Sequence, residues 1–183
     1  DALLSALVTD SHHALADAAE AAAAATRGQS PRARRIATTG AFRAWALANT
    51  SAFLLLYGTP VPGFDPGPAS ETGSAALRLA APFADVVFDG WTPAQIAAIP
   101  LPAGAEALRA HIPEDMLPAG ALALFIELRA RMHGLVMLEL LGHLWPVGEV
   151  GDQFFAAAMG RMSDELDAMQ AGGSGDLVAS AGS

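Results

Sequence analysis

Residues 155–169 read Phe155-Ala-Ala-Ala-Met159-Gly-Arg-Met162-Ser-Asp-Glu-Leu166-Asp-Ala-Met169. The large apolar side chains step by four, three, four and three, which lines them up along one stripe and predicts a helix over Glu149–Ala171 with a heptad seam. The preceding stretch, Ala119–Leu144, is apolar over most of its circumference beyond Arg131, and Pro146-Val147-Gly148 separates the two. A connection this short predicts antiparallel packing of two long helices. The first of them carries more apolar surface than one neighbour covers, and two such hairpins meeting across a two-fold axis would bury it as a four-helix bundle. The expected homodimer face comprises Leu138, Leu141, Leu144, Phe155, Met159, Met162 and Leu166, with Gly134 and Gly142 allowing close approach.

Toward the N-terminus, Leu4, Leu7, Val8, Leu15, Ala18, Ala19 and Ala22 recur at helical spacing up to about Ala25, where Arg27-Gly28 closes the pattern. Ser30-Pro31 opens the next helix, with the serine as cap and proline at the first helical position. This segment, Pro31–Tyr57, is apolar on two sides: Ile36, Gly40 and Leu47 share one face, and Phe42, Trp45 and Asn49 the opposite one. A helix apolar on two sides belongs in the middle of a bundle. Thr50-Ser51 is the expected break within it. Gly58–Gly73 reads as a long Pro/Gly loop, helix resumes from Ala75 to Asp89, and prolines punctuate short helical pieces up to Pro118. No segment alternates as a strand. The expected architecture is an all-α multi-helix bundle over residues 1–171, followed by a flexible Gly/Ser-rich tail at 172–183.

Composition narrows the function classes. With 183 residues and 52% of them apolar, one domain can bury a core unaided. The absence of cysteine excludes a disulfide scaffold, a thiolate metal site and a cysteine nucleophile. A net charge of -9 argues against nucleic-acid binding by this chain alone, since neutralising phosphates needs clustered basic residues. The one basic cluster, Arg32, Arg34 and Arg35 beside Arg27, reads as a solvated helix face. No apolar run reaches the roughly 18 residues of a membrane span, so neither a membrane partner nor a secretory route is expected, and the cytoplasm is the default location. No nucleophile elbow, dinucleotide fingerprint or phosphate loop occurs, and no cofactor is expected.

Met132-His133-Gly134-Leu135-Val136-Met137-Leu138-Glu139-Leu140-Leu141-Gly142-His143-Leu144 resembles the signature of the WHG-type C-terminal domain of TetR-family transcriptional regulators. Phe42-Arg43-Ala44-Trp45-Ala46-Leu47-Ala48-Asn49 with Phe53–Gly58 resembles its second helix, and Thr59–Phe64 the loop after it. The opening Asp1-Ala-Leu-Leu-Ser-Ala-Leu-Val is similar to the helix that follows the DNA-reading helix-turn-helix in that family. Where a tryptophan would be expected one turn before His133-Gly134, Arg129 or Ala130 stands instead. The resemblance spans roughly residues 1–170 and implies dimerisation through the last two helices and a small-molecule pocket among the earlier ones. It also implies that operator DNA is read only through an N-terminal helix-turn-helix, which this chain does not contain.

In that light a small, largely apolar effector is expected among the helices starting near Asp1, Pro31, Ala75 and Ala119. His133, a polar group on an apolar helix, is the candidate anchor, although a core histidine satisfied by a neighbouring backbone would look the same. His12, Phe42, Trp45, Asn49, Phe83, Phe88, Trp91, Phe125 and Met137 are the other candidate contacts, each of which plain core packing would also explain. Glu139 and His143 share a helical face at i, i+4, but His133 lies about 80° away around the axis, and no metal is expected. Arg43 and Arg129 could each meet an anionic ligand or simply face solvent. Two other classes fit the residues: a small all-α enzyme using His133, Glu139 and His143, and a purely structural helical dimer.

Overall fold

A cap and a proline set the start of the second helix: Ser30 Oγ accepts from Ala33 N–H at 3.3 Å and Pro31 takes the first helical position. The computed structural model describes residues 2–59, 61–67, 69–113, 116–145 and 147–172 in full, and residues 173–181 by their backbone. Its helices are α1 (Ala2–Ala25), α2 (Pro31–Ala48), α3 (Thr50–Tyr57), α4 (Glu71–Val87), α5 (Pro93–Ala98), α6 (Ala119–Leu140) and α7 (Gly151–Ala181), with 3-10 turns at Glu106–Ala110 and Gly148–Val150. No strand occurs among the described residues, so the bundle is all-α. The side chains of the expected tail, from 173 onward, lie outside the described residues.

Several boundaries differ from the sequence reading for local reasons. The break expected at Thr50-Ser51 falls at Asn49, whose N–H and side-chain amide both donate to Trp45 O. Helix α4 starts at Glu71 rather than Ala75 because Ser70 caps it, accepting from Gly73 N–H at 3.0 Å. Helix α6 stops at Leu140 rather than Leu144. Gly142 adopts φ +75°, and His143 N–H turns back to Leu138 O at 2.8 Å, a left-handed ending that glycine accepts without strain.

The two-sided apolar pattern of α2 has the expected consequence: it packs against α1, α3, α4, α6 and α7. Phe42 is its largest fully buried side chain, edge-on to Phe53 at 5.4 Å and to Phe83 at 5.7 Å between ring centroids. Leu15, Leu79 and Val136 complete this centre from α1, α4 and α6.

The basic cluster is not a solvated face. Arg35 is 4% exposed, and its guanidinium donates to Val86 O at 3.0 Å, Val87 O at 3.2 Å, Ser163 Oγ at 2.9 Å and the Asp167 carboxylate. Arg34 pairs with Asp89, and only Arg32, paired with Asp164, stands largely in water. One helical turn further on from Arg35, Thr39 returns its hydroxyl to Arg35 O. Two turns on, Arg43 grips Glu139 of α6 and Asp152 of α7.

These pairs draw α7 onto α2 as well as α6. The seam residues Phe155, Met159, Met162 and Leu166 are consequently buried within the protomer, each at most 8% exposed. On α6 and just beyond it, Leu138 and Leu141 stay exposed and Leu144 is half-buried.

Helix α6 begins against the α5–α6 connection so closely that a Cβ at Gly120 would stand 1.9 Å from Ile99 O. We expect Gly120→Ala to destabilise the protein by about 1–3 kcal/mol through this clash. A urea midpoint unchanged from wild type would show that the connection yields freely and that the contact carries no constraint.

Candidate functional site

His133 projects from α6 into an aromatic cluster, 4.6 Å from Phe42, 4.7 Å from Tyr57 and 6.3 Å from Phe53 between ring centroids. Its Nδ1–H donates to Arg129 O at 3.0 Å, the carbonyl one turn back, which leaves Nε2 as a lone-pair acceptor. That Nε2 is buried without a hydrogen-bond partner. Burial, reinforced by the neighbouring Arg129 cation, pushes the His133 pKa down to about 4, against the opposing effect of its bond to the Arg129 carbonyl. The ring is therefore neutral at pH 7. Burial likewise raises the Tyr57 pKa, with the Arg129 guanidinium opposing it.

His12 reaches the same cluster from α1, edge-on to Tyr57 at 6.2 Å, with Nδ1–H on Val8 O at 3.1 Å. Burial lowers its pKa as well. Close by, the Thr9 and Thr72 hydroxyls meet at 2.8 Å and tie α1 to α4. Beneath them His12, Tyr57, Val8 and Phe64 line a cavity of about 360 Å³ among α1, α3, α4 and the 58–66 loop.

A second space lies between α2, α4, α6 and α7. It is a narrow, almost wholly apolar slot of about 40 Å³ whose walls include Phe83, Phe125, Met132, Met159 and Met162. The polar groups at its edge are Arg35, Thr39, Ser163 and Arg129. Arg35 donates to Ser163 Oγ and to backbone carbonyls, and Thr39 to its own helix, so the donors of Arg35 and Thr39 are already engaged. Arg129 differs, because no described carboxylate lies within ion-pairing distance of it.

The candidate contacts thus fall into separate places. Phe83 and Phe125 line the slot, His12 lines the larger cavity, and Phe42 and His133 pack ring against ring and line neither. Trp45 and Met137 are half-buried against the core. Phe88 and Trp91 pack edge-on at 6.0 Å, with the buried Trp91 Nε1–H unpartnered. Asn49 stands on the surface, its amide spent on Trp45 O. His133, Glu139 and His143 do not converge: Glu139 is held by Arg43, and His143 lies past the end of α6. Among the described residues no group of three His, Asp or Glu could hold a metal ion. The slot's methionines are not among the candidate contacts, since nothing in their spacing sets them apart from core residues, whereas Arg129, which the sequence offers with Arg43 as a partner for an anionic ligand, stands at the slot's edge.

Known proteins resemble this arrangement. The family described as tetracyclin repressor-like, C-terminal domain, matches residues 35–162. HTH-type transcriptional regulators of Mycobacterium bovis (Mb1846) and Mycobacterium tuberculosis (Rv1816) are each 37% identical over 90 residues, 49% of this chain. That span covers only 38% of either relative. Among solved structures, the protein SCO4313 aligns with a TM-score of 0.63 and 25% identity over 88% of this chain and 71% of its own. A Rhodococcus sp. RHA1 protein of unknown function aligns with a TM-score of 0.60 and 27% identity, over 90% and 70% of the two chains.

The His133 environment has a measurable consequence. A folded pKa of about 4 lies below the 6.5 of a histidine in water, so the folded state binds fewer protons between those values. The contribution is complete above pH 6.5 and fades as pH falls toward 4. Against His133→Phe, we expect wild type to lose on the order of 2 kcal/mol more stability across this window. Parallel urea midpoints for the two proteins would show that the ring titrates as if in water.

Proposed function

The chain belongs to the family of tetracyclin repressor-like C-terminal domains, and on that premise we propose that it is the effector-sensing and dimerising half of a transcriptional regulator. The observation that carries the sensing role is the slot between α2, α4, α6 and α7, apolar with a few polar groups at its edge, as small-molecule sites are. At 40 Å³ it is narrow, but three flexible methionines form much of its wall. A small, largely apolar effector would enter by displacing them. Two of the three, Met159 and Met162, belong to α7, so occupancy would bear directly on that helix.

Dimerisation would use the opposite side of α6 and α7. There a groove of about 360 Å³ passes Gly134, Leu138 and Phe154. Leu138 is 43% and Leu141 52% exposed, and nothing within 4 Å of Gly134 would meet a side chain there. A second copy across a two-fold axis covers such a surface with the same surface. An occupant that shifts α7 would then change the angle between two protomers, and with it the spacing of paired DNA-reading heads. The acidic chain itself contributes no DNA contact in this scheme. That role falls to a helix-turn-helix of the kind for which the HTH-type relatives are named. No described helix is long and apolar enough to cross a membrane, and we place the regulator in the cytoplasm.

Two experiments test this reading. In a thermal-shift screen of small apolar compounds, a binder should raise Tm in step with saturation. Thr39→Phe, which fills the slot from a half-buried position, should abolish the shift. A screen without any binder, or an unaltered shift in Thr39→Phe, would remove the slot from the mechanism. Separately, Leu138→Glu with Leu141→Glu should weaken self-association by roughly 100-fold or more, read by light scattering across a dilution series. An unchanged dimer would place the interface elsewhere.

A further inference from the structure

Six of the ten arginines pair with described carboxylates: Arg32, Arg34, Arg35, Arg43, Arg78 and Arg131. Of the other four, Arg27, Arg109 and Arg161 are exposed, where water serves as their partner. Arg129 alone among these four is half-buried, and it lines the slot beside Phe83, Phe125 and Met132. A cation removed from water without a counter-charge is costly, and an anion arriving at it recovers that cost. Its neighbours add no negative charge. His133 and His12 are neutral rings, and each registers the Arg129 cation in its lowered pKa. The Tyr57 hydroxyl, whose oxygen faces the same guanidinium, keeps its own O–H as a second donor for an incoming oxygen.

Arg43, the other arginine with a conceivable ligand role, is excluded by its partners. Its guanidinium is engaged by Glu139 through two nitrogens and by Asp152 through the third, and it lies over the Phe155 ring at 5.5 Å. An anion there would meet two carboxylates. At Arg129 it would meet none among the described residues.

We propose that the effector is an amphipathic monoanion, a carboxylic acid with an unbranched apolar body, its carboxylate on Arg129 and its chain threaded between the slot's phenylalanines and methionines. This rests on the reading of the slot as the effector site and adds the chemical class. Arginine suits the head because its planar fork matches a carboxylate's two oxygens. The slot suits the tail because a thin chain parts flexible methionines more easily than a bulky ring does.

The test is calorimetric titration at pH 7 with hexanoate and octanoate, each against the neutral alcohol of equal length, in wild type, Arg129→Gln, Arg129→Lys and Thr39→Phe. Wild type should bind octanoate at least ~10-fold more tightly than octanol. Arg129→Gln should lose that preference while holding octanol as before, and Arg129→Lys should keep part of it. Thr39→Phe should weaken acid and alcohol alike. The exposed Arg161→Gln should change neither. Equal affinity for acid and alcohol in wild type would overturn the anionic head but leave the slot as a sensor of neutral ligands. A preference for the acid that survives Arg129→Gln would place the anion site elsewhere. If neither compound binds wild type, this inference and the sensor reading on which it rests both fall.

Discussion

The packing of this bundle depends on where the guanidinium of Arg35 goes. The last carbonyls of a helix have no partner within it, and they carry the negative end of its dipole. Arg35 reaches Val86 O and Val87 O at the end of α4 and still has a nitrogen for Ser163 and Asp167 of α7. One side chain therefore satisfies a buried helix end, neutralises its dipole and fixes the lateral position of the longest helix. Being 4% exposed, it leaves an uncompensated charge in the core whenever one of these partners moves. The slot lies directly against this junction, so its shape is set by how tightly the junction closes.

A second arginine performs a related task eight residues on. Arg43 draws Glu139 of α6 and Asp152 of α7 to the same side of α2. Together the two arginines hold α7 against α2, and the large residues of α7 fill the space between. This explains why the heptad seam faces inward. A stripe of Phe155, Met159, Met162 and Leu166 that suits a partner helix in a dimer suits equally well a partner helix in its own protomer. On the outer side of α6, Leu138 stays exposed, as does Leu141 just past its end.

The polar interior is correspondingly sparse and mostly accounted for. Threonine and histidine side chains return hydrogen bonds to carbonyls one turn back, which satisfies one donor of each and leaves the imidazoles as neutral acceptors. The buried atoms left over include His133 Nε2, beside the half-buried Arg129, and, elsewhere, Arg34 Nε, Thr38 Oγ1 and Trp91 Nε1. The half-buried Arg129 at the edge of the apolar slot gives that slot a direction, with one charged edge and an oily depth.

Much of the framework was legible in the residues themselves. The first helix runs to Ala25 as its periodicity requires, Ser30-Pro31 starts the second, and the two apolar faces of that helix place it at the centre. All-α architecture follows from spacing alone, because helical periodicity reports the angle of each side chain about its own axis. It does not report which neighbour occupies that angle. Hence the seam could be read but not its partner, and Arg35 looked like one of three surface arginines until contacts 51 and 132 residues away in sequence buried it. The same holds for Arg43 and Arg129, which composition cannot distinguish. Tertiary structure supplied two carboxylates to one and none of the described ones to the other, and only the folded arrangement of α2, α6 and α7 decides which arginine has a charge to spare.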